Sequence, residues 1–187
     1  MGKCTTIDKT KTEMEGIDTS ISTAEATIIQ NTTLVNDIRA QLKGSHPLTV
    51  TGLAIGDTGK TAVATAAIDY NVDGVRYSLA ADTTGVALGT TSITATKFGA
   101  VALDAPISGG TVVSTEAPAN AAGYASAVLA AAALPAVAAA HCRLGYVTVS
   151  LSGGPFILGT TALDAVNSTV AYTDADTLGE SIGAAVS

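Results

Sequence analysis

The residues of this chain whose types and spacing could do chemistry begin with Ala54-Ile55-Gly56-Asp57-Thr58-Gly59-Lys60-Thr61. A glycine turn ending Gly-Lys-Thr is how a phosphate-cradling loop ends. Backbone N–H groups would curl round the phosphates, Lys60 would reach the outer ones, and Thr61 would hold magnesium. Ala54, however, stands where the first glycine belongs. The residues after Thr61 are rich in Thr and Val rather than helix-forming, and no alternation of strand and helix accompanies them. Gly-Asp-Thr-Gly is also how a surface turn reads, and a turn is what we expect. Asp174-Ala175-Asp176-Thr177-Leu178-Gly179 echoes the start of a calcium loop, but Ala185 occupies the position of the bidentate glutamate. A solvated acidic tail is expected there.

His141-Cys142 has no second ligand pair at metal-binding spacing. As chain neighbours entering a strand, the two side chains diverge instead of forming a nucleophile–base pair. At the end of a helix, His141 and Arg143 would complement its dipole. Asp69, Asp73, Asp82, Asp104 and Asp164 are expected mostly in turns, where Asp bonds its own backbone. Two of them could act as acid and base on a glycan, but nothing in their spacing selects a pair. Asn31-Thr32-Thr33 and Asn167-Ser168-Thr169 match glycosylation sequons, which matter only on a secretory route. The residues therefore predict no catalytic group, no metal ligand and no cofactor.

The strongest pattern lies elsewhere. Counting heptads from Ile7, the a positions are Ile7, Met14, Ile21, Ile28, Val35 and Leu42, and the d positions are Thr10, Ile17, Ala24, Asn31 and Ile38. Nine of these eleven are apolar, against four of the twenty-five positions between them. A 3.5-residue repeat sustained over five heptads predicts a left-handed coiled coil. The segment is rich in Thr and Ser and carries Gly16 in mid-helix, so a lone helix would be marginal and seam burial must stabilise it. Ile at both a and d shifts preference above two strands, and Asn31 at d fixes register at a cost in stability. The e and g sites hold only Lys11, Glu13, Asp18, Glu25 and Arg39 as charges, so ion pairs between chains contribute little. We expect a parallel trimer with Met14, Ile17, Ile21, Ala24, Ile28, Asn31, Val35, Ile38 and Leu42 at its interface.

With 187 residues the chain has room for one ordinary domain beside this stalk. Residues 1–43 carry a net charge of −1 and residues 44–187 a net charge of −6. An acidic domain repels phosphate backbones, which argues against nucleic acid as a partner. Two cysteines, Cys4 and Cys142, are too few for a disulfide framework. The start Met1-Gly2-Lys3-Cys4 shows no signal-peptide pattern, which predicts a product made in the cytoplasm. The apolar run Ala125–Ala140 is too short and too alanine-rich for a membrane span.

After the stalk, Gly44-Ser45-His46-Pro47 should stop the helix and form a hinge, with His46 a solvated linker residue. From Leu48 the period changes to two. Strands are expected at 48–51, 68–72, 75–79, 92–96, 97–103, 111–115, 146–151 and 166–173, with Asp73-Gly74 closing a type I′ hairpin. The Ala-rich segment 119–140 should be helical, broken near Leu134-Pro135, and its small side chains should allow close packing. The expected division is a possible anchoring segment 1–13, a stalk 14–43, a hinge 44–47 and a β-rich head 48–187. The fold class is thus a mainly β domain with an Ala-rich helical insertion, behind an N-terminal parallel trimeric coiled coil.

Within the head, three stretches carry a family resemblance. They are Ile68-Asp69-Tyr70-Asn71-Val72-Asp73-Gly74-Val75-Arg76-Tyr77-Ser78, Lys97-Phe98-Gly99-Ala100, and His141-Cys142-Arg143-Leu144-Gly145-Tyr146-Val147, joined by Leu158-Gly159-Thr160-Thr161-Ala162-Leu163-Asp164. Together they resemble segments of tailed-bacteriophage head fibres and capsid decoration proteins over roughly residues 60–175. The resemblance implies a homotrimer on the virion surface, without enzymatic activity, whose partners are itself and the major capsid or another virion protein. It transfers no functional residue. The alternative is a tail-fibre or spike component that binds or hydrolyses a host surface glycan, against which the scarcity of aromatic residues argues.

Overall fold

A computed structural model describes residues 3–57, 59–107 and 109–177, and within the first helix the side chains of residues 9–36. The chain divides into two compact units, one up to Gln41 and one from Leu42. The first is a single helix, α1 (Lys3–Lys43). It is continuous through Gly16 despite the poor intrinsic propensity of its Thr and Ser.

The second unit is mainly β. It opens with β1 (His46–Pro47), β2 (Ala54–Ile55), β3 (Ala62–Thr65), β4 (Ile68–Val72), β5 (Val75–Leu79) and β6 (Asp82–Ala87). Next come β7 (Ser92–Ile93), β8 (Phe98–Pro106), β9 (Val113–Glu116) and the short helix α2 (Ala127–Ala132). It closes with β10 (His141–Leu151), β11 (Phe156–Ile157) and β12 (Ser168–Asp174). The largest sheet runs β12-β10-β8-β9, all neighbours antiparallel. Smaller sheets run β1-β4-β5 and β2-β3-β6.

The hairpin at Asp73-Gly74 forms as expected, with both residues at positive φ (52° and 86°). A right-twisted two-residue turn demands this, and glycine supplies it without steric cost. Alternation on β4 buries Ile68, Tyr70 and Val72, and Tyr70 stacks on its cross-strand partner Tyr77 with ring centroids 5.7 Å apart. The phenol of Tyr70 finds a partner in the Pro106 carbonyl at 2.6 Å. Strand β10 lies between β8 and β12 and buries Val147, Thr148, Val149 and Ser150 in succession, as a strand covered on both faces does. A bulge between Arg143 and Gly145 shifts its register against β8.

Several expectations are corrected. Residues 48–51 form no strand, although Thr51 is fully buried and donates its hydroxyl to the Leu144 carbonyl of β10 at 2.8 Å. His46 and Pro47, placed in the hinge, pair with Asn71 and Tyr70 of β4. The expected strand over 92–96 is only Ser92–Ile93, and β10 begins at His141 rather than at Tyr146. The largest departure is the Ala-rich segment: of 119–140 only six residues, Ala127–Ala132, are helical. The reason is tertiary. Asn120 is buried and binds both backbone groups of Ala100, accepting from its N–H and donating to its carbonyl, each at 3.0 Å. Tyr124 bridges Phe98 through two backbone bonds. These links hold 117–124 against β8 and outweigh the modest helical preference of alanine. Close packing of small residues does occur, since Ala130 of α2 sits in a cluster with Ala100 and Ala117.

Candidate oligomerisation surface

Along α1, the side chains of Met14, Ile17, Ile21, Ile28 and Val35 stand between 44 and 63 % exposed. Ala24 and Asn31 of the same seam are exposed too. Ile38 and Leu42 belong to the expected seam, but their side chains lie outside the described residues, as do those of Ile7 and the segment before it. A run of large apolar groups at a and d positions in water is costly, at roughly 25 cal/mol per Å² of apolar surface. Exposed contiguous apolar surface of this kind marks an interaction face.

Shallow grooves between successive turns lie along the seam. One groove is bounded by Ile17, Ser20, Ile21 and Ala24, with Glu13 and Gly16 at its rim. A second is bounded by Ile28, Asn31, Thr32 and Val35, with Asn36 beside it. Each core quartet has the spacing i, i+3, i+4, i+7, the diamond of four residues that receives one side chain of a facing helix. Gly16 and Ala24 deepen the first groove because they offer little bulk.

The hydroxyls nearest the seam are already satisfied. Ser20 donates to the Gly16 carbonyl, Thr27 to Thr23 and Thr32 to Ile28, all at 2.8–2.9 Å. These residues flank the seam at g, g and e. Tied back in this way they can be covered without leaving an unpaired donor, and the threonine methyls become packing surface. The pattern also explains how a Thr-rich segment can serve an interface that calls for low polarity.

In the head, the chemistry-bearing residues are dispersed and used structurally. The run 54–61 turns between strands, as expected: β2 and β3 form an antiparallel hairpin, Gly56 N–H closes it on the Ala62 carbonyl at 2.9 Å, and a strand stands where a phosphate loop would need a helix. Thr58 lies outside the described residues. Lys60 instead forms an ion pair with Asp164, and its carbonyl accepts from Leu163 N–H at 2.7 Å. The expectation that the tail begins as a loose acidic run at Asp174 is also corrected. Asp174 ends β12, and its carboxylate accepts from Leu53 N–H at 3.0 Å and Thr51 Oγ1 at 2.5 Å. Residues 178–187 lie outside the described residues.

His141 and Cys142 diverge as expected on a strand. The His141 ring faces the Ala139 carbonyl, while the Cys142 thiol is buried and pushed up to about 12 by desolvation, which leaves it inert. Arg143 is not a dipole partner, because no helix ends there. It makes a forked contact with Asp104, at 2.8 Å from Nε and 3.1 Å from Nη2, and Nη2 also donates to the Pro135 carbonyl at 3.1 Å. Asp104 is only 3 % exposed. The pair therefore sits mostly out of water and pins the loop after α2 to the strands beneath it.

The expectation that the five aspartates sit mostly in turns is corrected as well: Asp69, Asp82 and Asp104 are strand residues. Asp69 accepts from Ser78 Oγ at 2.5 Å and Arg76 Nη2 at 2.6 Å, and these bonds hold its carboxyl below the usual range. Asp82 accepts from Gly85 N–H. Asp69, Asp82, Asp104 and Asp164 thus each have a partner of their own, and these hydrogen bonds and ion pairs link no two of them. Among the described residues no cluster of three His, Cys, Asp or Glu could hold a metal ion, and no helix is long and apolar enough to cross a membrane. The features together define a mainly β domain behind an N-terminal helix with an exposed apolar seam. Comparison with protein families, characterised proteins and solved structures finds no match.

Proposed function

We propose that this chain is a non-enzymatic virion structural protein, a homotrimeric head fibre or capsid decoration protein whose α1 helices form a parallel coiled coil. The observation that carries the reading is the exposed, grooved a/d seam from Met14 to Val35. On a straight helix that stripe drifts by about 20° per heptad, so copies that keep it buried must wind about one another with a left hand. Isoleucine on both seam rows favours more than two strands, and the three Asn31 amides would meet one another at the axis and set the register. The head agrees with a binding or covering role: the carboxylates of Asp69, Asp82, Asp104, Asp164 and Asp174 are engaged in holding the fold, and its thiol is buried. The sequence resemblance to phage head fibres and decoration proteins supplies the setting, and a threefold stalk suits a threefold or quasi-threefold attachment point.

Sedimentation of the full chain at micromolar concentration tests the assembly, with a threefold mass expected and a single-copy species contradicting it. Labelling purified virions with an antibody to the head, and imaging them, tests the location. Regular decoration of the capsid is expected, and labelling absent from the particle would overturn the assignment.

A further inference from the structure

The head carries a second unpartnered feature, independent of the stalk. Strand β12 is the outer strand of the largest sheet and pairs with β10 without a register break over seven residues. The bonds just beyond each end fix which groups face which way. Ser152 N–H donates to Asn167 at 3.2 Å, and Ala175 N–H donates to Leu144 at 2.9 Å, both in the register of the ladder. Antiparallel bonding alternates, so Thr169, Ala171 and Thr173 bond β10, and Val170 and Tyr172 turn both N–H and C=O outward. Ser168 uses its N–H on Ala165. No described strand lies beyond.

Natural sheets guard such an edge with charge, proline, a bulge or extreme shortness. The other outer strands do so: β5 carries Arg76, β6 carries Asp82 and a register shift, and β9 has four residues ending in Glu116. Strand β12 has none of these. Its one charge, Asp174, is at its end with the carboxylate turned onto Leu53 and Thr51. The exposed side chains between are Thr169, Ala171 and Thr173.

We propose that β12 is a pairing edge for β12 of a second copy, antiparallel across a two-fold axis centred on Ala171. The strand is self-complementary in that register. Val170 and Tyr172 exchange bonds with Tyr172 and Val170 of the second copy, a β-branched residue opposite an aromatic. Thr169 faces Thr173, Ala171 faces itself, and Asp174 faces the neutral Ser168, so no like charges are opposed. Centring on Val170 would set Tyr172 opposite Ser168, and centring on Tyr172 would set the charged Asp174 opposite Val170, so either shift breaks these pairs. One strand pair buries too little surface for a tight dimer. It gains strength when several heads are presented together, so the contact links heads of neighbouring assemblies side by side.

Ala171 and its copy form a non-hydrogen-bonded pair, whose Cα atoms lie about 4.5 Å apart, within reach of a disulfide. In full-length protein carrying Cys4→Ser, with Cys142 buried, Ala171→Cys should give a covalent dimer under mild oxidation. Thr169→Cys and Thr173→Cys should not do so singly, but a mixture of the two should cross-link. Failure of Ala171→Cys to exceed the single threonine variants, as expected if residues 178–187 or another chain covered the edge, overturns the proposal. Ala171→Lys, at an exposed position, should remove association beyond the basic oligomer in light scattering with an unchanged melting temperature; persistence of that association also overturns it. Cross-linking in a chain whose α1 seam is broken reports on the edge alone, so the stalk and the edge can fail separately.

Discussion

At the residue scale, the head is governed by a few buried polar groups whose partners come from distant parts of the chain. Asp104 and Arg143 are the clearest case. Removing one partner leaves a charge without compensation, whereas replacing both with apolar groups of similar size is often neutral. Arg143→Met should therefore lower stability by about 3 kcal/mol, and Asp104→Leu combined with Arg143→Met should recover most of it, both read from denaturant midpoints. Cys142 makes a second prediction. Burial raises its thiol to about 12, so below the ordinary thiol range the folded and unfolded forms bind the proton alike. As pH rises past that range the unfolded thiol ionises first, and stability falls by up to about 1.4 kcal/mol per pH unit until the folded thiol ionises too. Tyr70 and Tyr172 are raised by burial and act in the same direction. Cys142→Ala should flatten the alkaline limb of a stability–pH profile measured between pH 8 and pH 11. A limb as steep in the variant as in the wild type would contradict this account of the thiol.

At the element scale, β10 organises the head because it pairs on both sides, and its register against β8 sets Arg143 opposite Asp104 just before the bulge. Gly145 makes the bulge possible: its φ is 152°, and a Cβ there would lie 2.3 Å from the Thr173 carbonyl oxygen and 2.7 Å from Leu53 Cδ1. Gly145→Ala should cost about 2 kcal/mol and raise hydrogen exchange along β12 first, because the clash is with that strand. Unchanged protection of β12 amides would show that the bulge accommodates a side chain. The stalk element answers to a different substitution. Ile21→Asp with Ile28→Asp places charges on the seam and leaves every residue of the head unchanged. Loss of the oligomer with retention of the head's near-ultraviolet signal is the expected result of circular dichroism and sedimentation together. An oligomer that survives the double change would remove the seam from the assembly.

At the scale of the whole molecule, the proposed division of labour is that one part gathers copies and the other presents a surface. In that proposal, virion attachment falls to the segment before Met14, where the sequence of the seam weakens at Thr10. Deleting residues 1–13 should abolish incorporation into particles while leaving a soluble trimer, measured by complementation and sedimentation. Normal incorporation would move the anchor to the head. Such a reversal would leave the trimer intact, since the remaining seam from Met14 onward still spans four heptads.

The range of each interaction decides how much of this was legible before the fold was known. The helix from Lys3 to Lys43, the Asp73-Gly74 hairpin and the alternation of β4 rest on residues a few positions apart, and local geometry dictates them. The apolar stripe of α1 is a periodicity of the same local kind, and its role as an interface is our proposal. The Ala-rich segment could not be read this way, because Asn120 and Tyr124 reach back some twenty residues to β8 and override alanine's preference. Asp104 with Arg143, Lys60 with Asp164, and Asp174 with Thr51 lie 39, 104 and 123 positions apart. No periodicity records such pairings; they exist only once the sheets have brought the strands together. The open edge of β12 belongs to this second kind, since a strand becomes an edge through the absence of a neighbour, and neighbours are chosen by the folded topology.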